Sequence, residues 1–76
     1  MQKTITSKSY KSLIDWLKKS RVEKGITMRE LALELNVSHS WISKVENLER
    51  RLDLYEYMTL CKCLGIDPKK GLKKFD

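Results

Sequence analysis

The sequence predicts an all-α fold, a compact bundle of about five short helices, and three observations carry that prediction. Apolar residues recur at helical spacing, as in Tyr10, Leu13, Ile14 and Leu17. Residues suited to opening a helix recur along the chain at Thr27, Ser38, Asp53 and Asp67. Residues that tolerate a left-handed backbone, Gly25, Asn36 and Gly65, stand where the helices between them must end.

The elements follow in order. Residues 1–8 are polar with a single Ile and no cap, so they read as a flexible N-terminal arm; Lys3 and Lys8 on it could touch phosphates or simply be solvated. The domain proper spans 9–76. Helix 1 is expected from about Ser9 to Lys24, with Tyr10, Leu13, Ile14, Leu17 and Val22 as its apolar positions and Lys11, Lys18, Lys19, Glu23 and Lys24 in solvent. Trp16 falls off that stripe and covers either an edge of the core or a subunit contact.

Helix 2 is expected over Met28 to Leu35. Thr27 and Glu30 form a capping box, in which the Thr hydroxyl accepts a backbone N–H and the Glu reaches back to the cap. Leu31 and Leu35 lie one turn apart, and Ala32 beside them lets another helix come close. Asn36 turns the chain and Ser38 caps helix 3, about His39 to Glu46. At about 100° per residue, Ser38, Ile42, Val45 and Glu46 share one side of helix 3. Ser40, Ser43, Lys44 and Asn47 fall opposite, with His39 and Trp41 at the edges. The outward face is short, hydrogen-bonding and basic, which suits the base edges of a nucleic-acid groove.

Arg21 lies on the same inward stripe as Leu13 and Leu17. A buried Arg needs a carboxylate, since an unpaired one costs several kcal/mol, and Glu46 on the last inward turn of helix 3 is the partner it would reach. After Asn47 comes the polar connection 48–53, with Arg50 and Arg51. Asp53 caps helix 4, about Leu54 to Leu64, whose apolar positions are Tyr57, Met58, Leu60, Cys61 and Leu64, and Gly65 closes it. Asp67 and Pro68 start a short helix 5 reaching about Lys74. Ile66, Leu72 and Phe75 make an apolar edge on a Lys-rich tail, either a dimer surface or a strip folded back on the core.

Composition bounds the function. At 76 residues the chain is one small domain, near the size at which a core alone stabilises only marginally, so dimerisation is a natural source of further burial. Sixteen Lys and Arg against ten Asp and Glu leave a charge of +6, which favours a polyanionic partner. No stretch is long or apolar enough to span a bilayer and no signal-peptide core opens the chain, so a cytoplasmic protein is expected. Cys61 and Cys63 form one C-x-C pair with His39 as the sole histidine, short of the four ligands a zinc site needs; they read as reduced thiols, Cys61 inward. No metal or cofactor is expected. Nor is an enzyme, because paired carboxylates, a Cys/His nucleophile arrangement and a phosphate loop are all missing.

The stretch from Gly25 to Asn47, GITMRELALELNVSHSWISKVEN, resembles the helix-turn-helix of the Cro and phage-repressor (XRE-like) regulators. The matching residues are Arg21, Gly25, Ile26, Thr27, Leu31, Ala32, Leu35, Val37, Ser38, Ile42, Ser43, Lys44, Val45, Glu46 and Asn47, and the likeness extends from about Leu13 to Pro68. The resemblance implies a lambda-repressor-like fold that binds double-stranded DNA, reading the major groove with the helix at 39–46. It also implies an Arg21–Glu46 bridge, a loop after Asn47 that follows the DNA backbone, and two-fold dimers on pseudo-palindromic operators with recognition helices about 34 Å apart.

Roles follow from position. His39, Ser40, Ser43 and Lys44 are the candidates for base edges, Lys44 suiting guanine. Phosphate candidates are Thr27, Met28 and Ser38 at helix N-termini, together with Trp41, Asn47, Arg50 and Arg51. Trp41 could equally cover the packing of helix 2 on helix 3, and the Arg pair could be a solvated surface. Three positions depart from the family's usual text: Met28 replaces a Gln, Leu48 a Gly, and Leu33 places a Leu on the outer side of helix 2, as a lone apolar residue or as a partner contact. The leading expectation is a homodimeric transcriptional repressor or autoregulator of bacterial or phage origin, nucleoid-associated when bound. The alternatives are the antitoxin of a toxin-antitoxin pair and a protein-interaction module on the same fold.

Overall fold

A computed structural model describes residues 7–76. It contains five α-helices: α1 Lys8–Glu23, α2 Met28–Leu35, α3 His39–Glu46, α4 Leu54–Leu64 and α5 Pro68–Leu72, the last running into a 3-10 turn at Lys73–Phe75. Most of the expected arm lies outside the described residues. Its last two members are structured: Ser7 accepts the Tyr10 amide as an N-cap, so α1 begins at Lys8.

Each of the first four helices gives way to one left-handed residue: Gly25 (φ 71°), Asn36 (φ 57°), Leu48 (φ 63°) and Gly65 (φ 67°). In every case the next amide donates to the carbonyl five residues back: Ile26 to Arg21 at 3.1 Å, Val37 to Ala32 at 3.0 Å, Glu49 to Lys44 at 2.8 Å and Ile66 to Cys61 at 3.0 Å. This closure satisfies carbonyls that a helix end leaves open and reverses the chain within two residues. Ile26, Val37 and Ile66 then drop onto the core, so the turn also pins the chain. In the fourth case Leu48 itself packs inward while holding a conformation that costs a residue with a Cβ about 1–2 kcal/mol. The Gly expected there is absent, but the path a Gly would take is kept.

The core is drawn from four helices. α1 gives Tyr10, Leu13, Ile14 and Leu17; α2 gives Leu31 and Ala32; α3 gives Ile42 and Val45; α4 gives Tyr57, Leu60, Cys61 and Leu64. Burying a large side chain of this kind contributes about 1.5–3 kcal/mol. Trp16 packs against the edge of this cluster.

Two residues expected in the core lie outside it. Val22 is 58% exposed, because Ser20 and Arg21 occupy the inward turn after Leu17 and Val22 sits a further 100° round the helix. Met58 is 46% exposed for the same reason: Tyr57, Leu60, Cys61 and Leu64 already form a complete i, i+3, i+4, i+7 face.

Helix α5 is held by its smallest residue. Gly71 is buried so closely against Leu13, Trp16 and Tyr57 that a Cβ there would collide with all three side chains. The Tyr57 hydroxyl donates to the Pro68 carbonyl and fixes the start of the same helix. Leu72 and Phe75, by contrast, remain about half exposed at 46% and 50%.

Candidate nucleic-acid interface

The α2-turn-α3 unit is capped at both starts. Thr27 Oγ1 accepts the Glu30 amide at 3.1 Å while Glu30 Oε1 accepts the Thr27 amide at 2.8 Å, and that amide's hydrogen bond holds the Glu30 carboxyl below its ordinary pKa. Thr27 therefore spends its own N–H inside the capping box, and helix geometry leaves the amides of Met28 and Arg29 without an intrahelical acceptor. Ser38 Oγ accepts the Trp41 amide at 3.0 Å, which places His39 and Ser40 in the first open turn of α3.

Behind α3, Arg21 and Glu46 form a fork. Nε donates to Glu46 Oε2 at 2.7 Å, Nη2 to Oε1 at 3.0 Å, and the remaining Nη1 to the Ile26 carbonyl at 2.8 Å. Both side chains are nearly excluded from solvent, at 10% and 7% exposure. In that setting a two-pronged charged pair is rigid, and losing one partner would strand the other charge. The bridge joins α1 to the last turn of α3, and through Ile26 to the turn that precedes α2.

The outward side of α3 has the opposite character. Ser38, His39, Ser40, Lys44 and Asn47 are exposed, and Ser43 is half buried, accepting from Asn47 Nδ2 at 3.3 Å. Ile42 and Val45 face the core at 2% and 4% exposure. His39, Ser40 and Lys44 thus form one displayed ridge, with Ser43 and Asn47 coupled between His39 and Ser40. Arg29 joins this surface. It is exposed and lines a shallow groove with Leu33, Val37 and His39. Arg29 is a further candidate beyond those the sequence predicts, and its one sequence signal is its place at the second position of α2, next to Met28.

Arg50 and Arg51 differ. The Arg50 guanidinium lies 4.9 Å from the centre of the Trp41 ring and donates to Glu56 through Nη1 and Nη2, both at 3.0 Å. Glu56 also accepts the Asp53 amide at 2.9 Å within the capping box of α4, and Asp53 accepts the Glu56 amide in return. The Arg50 hydrogen bonds, aided by the Asp53 amide, hold the Glu56 carboxyl below the usual carboxylate range. Trp41 is half buried and packs against the core, so it serves as a cover and as a platform for Arg50. Tyr10 Oη accepts the Leu52 amide at 3.1 Å and ties the loop to α1. The exposed Arg51 stands next to this braced segment.

No helix among the described residues is long and apolar enough to cross a membrane. The helix-turn-helix family profile matches residues 17–70. Among solved structures, the chain is similar to an XRE-family like protein from Pseudomonas syringae pv. tomato str. DC3000, with 45% sequence identity and a TM-score of 0.81 over 87% of this chain and 80% of that one. No curated protein matches the chain. The buried Arg21–Glu46 fork, the capped α2-turn-α3 unit and these matches agree: the chain belongs to the XRE-type helix-turn-helix family of DNA-binding regulators.

Proposed function

We propose that the chain is a sequence-specific regulator of transcription, acting in the cytoplasm as a homodimeric repressor or autoregulator on a pseudo-palindromic duplex. The observation that supports this most is the contrast between the two sides of α3: a polar, basic ridge at His39, Ser40 and Lys44 in front, and an apolar, charge-locked back at Ile42, Val45 and Glu46. A ridge that cannot rotate presents its donors to base edges in one orientation, and that is what discrimination between base pairs requires.

In this reading His39, Ser40, Ser43 and Lys44 face base edges. The Thr27 hydroxyl, the Met28 amide and Ser38, with Arg29, Asn47 and Arg51, contact phosphates and set the register. Arg50 is held on Glu56 and Trp41, where it shapes the loop.

Salt titration of duplex binding tests the reading. A duplex chosen from a random pool should bind ~10³-fold or more tightly than random duplex, with affinity falling steeply as salt rises. Binding that is flat with salt and blind to sequence would leave only a protein-interaction module. One observation favours a second reading, an antitoxin that grips a toxin as well as DNA. Leu33 is 82% exposed at the rim of the groove holding Arg29 and His39. A toxin gene beside the coding sequence, and its product binding the chain but not Leu33→Asp, would support it.

A further inference from the structure

Resting on the dimeric reading above, we infer that the second copy docks on the outer face of α4, through Leu54, Tyr55 and Met58, and not on the C-terminal edge. At 100° per residue Leu54 and Met58 lie one turn apart and run from the edge of the buried Tyr57, Leu60, Cys61 and Leu64 stripe round to Tyr55 on the outer side. They are 71%, 46% and 80% exposed, so α4 is apolar on both sides, unlike a helix that merely covers a core. Tyr55 and Thr59 line two adjoining surface clefts, one reaching to Trp41 and Val37, the other to Ile66 and Pro68.

Charge selects the occupant. A chain of net charge +6 repels its own copy wherever its cations cluster. Leu72 and Phe75 are flanked by Lys69, Lys70, Lys73 and Lys74, so a two-fold contact there would bring eight ammonium groups together. The outer face of α4 carries one cation, Lys62, which lines the same cleft as Tyr55 and Met58, so a two-fold contact there brings two ammonium groups together instead of eight. The two carboxylates of residues 53–61 are both engaged, Asp53 as the cap of α4 and Glu56 on Arg50. This face is the least cationic apolar part of a basic surface, where a second copy meets far less repulsion than at the C-terminal edge. The placement also suits DNA. α4 follows directly on the loop that carries Arg51, so a contact on α4 adjoins the proposed phosphate face.

Sedimentation equilibrium of the full chain tests the surface without DNA. The parent should be a reversible dimer, Tyr55→Glu should raise the dissociation constant ~30-fold or more, and Phe75→Glu should leave it within about threefold. Tyr55 is exposed, so circular dichroism of the variant should match the parent, and Leu54→Glu provides a second variant of the same face. A parent monomeric at every concentration, a dimer unaffected by both α4 variants, or a dimer broken by Phe75→Glu alone would each overturn the inference. The DNA reading is judged separately. Tyr55→Glu should keep salt-dependent binding to a duplex bearing one half-site, so a failure of dimerisation and a failure of DNA binding give different results.

Discussion

Arg21 and Glu46, separated by 25 positions in sequence, meet through two hydrogen bonds of 2.7 and 3.0 Å, and the third arginine nitrogen is taken up by the Ile26 carbonyl. The pair makes the orientation of α3 a property of α1. Arg21→Ala or Glu46→Ala should cost about 3–5 kcal/mol, which for a chain this small lowers the melting temperature by more than ~10 °C. Arg21→Met with Glu46→Leu should recover much of that loss, because no buried charge is then stranded. A single variant melting within about a degree of the parent would refute the pairing as a structural staple.

The contact of α5 with the core turns on one missing methyl group. Gly71→Ala should lower stability by about 1–3 kcal/mol in thermal melts, since Leu13, Trp16 and Tyr57 all stand where the Cβ must go. A neutral or stabilising Ala would mean that α5 can lift off without cost.

Gly25 isolates backbone strain from crowding. An added Cβ there meets nothing within 4 Å, yet φ is 71°. Gly25→Ala should therefore cost about 1 kcal/mol, and Gly25→Asn less, in chemical denaturation. Equal stability of all three would show that the turn has relaxed.

Acid should loosen the α3–α4 loop. The native Glu56 carboxyl titrates below its unfolded value because it accepts from Arg50 and Asp53. Its contribution to stability is thus fully present above the unfolded carboxylate range, about pH 4.3, and is lost as pH falls through the native value. Between about pH 5 and 3 the parent should lose stability more steeply than Glu56→Gln, measured by urea unfolding. Parallel curves would remove Arg50–Glu56 as a brace.

Much of this architecture was legible in the residues. Thr27 with Glu30, Ser38, Asp53 and Asp67 marked helix starts because their side chains can accept only a few local amides, and all five serve as expected. Gly25, Asn36 and Gly65 marked ends for the same local reason. Leu48 hid the fourth end, since packing against the core outweighs its backbone strain, and that balance is tertiary. Val22 and Met58 were misplaced because a periodicity admits neighbours within about 100° of a stripe, and only the packed partners decide which of them face inward. Within the candidate site, the back of α3 followed from helical angles. The fate of Arg50 did not, because its partners Trp41 and Glu56 come from two other helices.

Phosphate and base contacts should separate by variant. Arg51→Ala should weaken selected and random duplex to the same degree and reduce the salt slope by about one. Unequal losses would place Arg51 at a base edge.

The most direct measurement is fluorescence anisotropy of Lys44→Ala on the selected duplex and on random duplex, at one fixed salt concentration. A rigid α3 ridge reading base edges predicts a loss of ~5- to 150-fold on the selected site and less than about twofold on random DNA. Equal losses on both, or none on either, would contradict it.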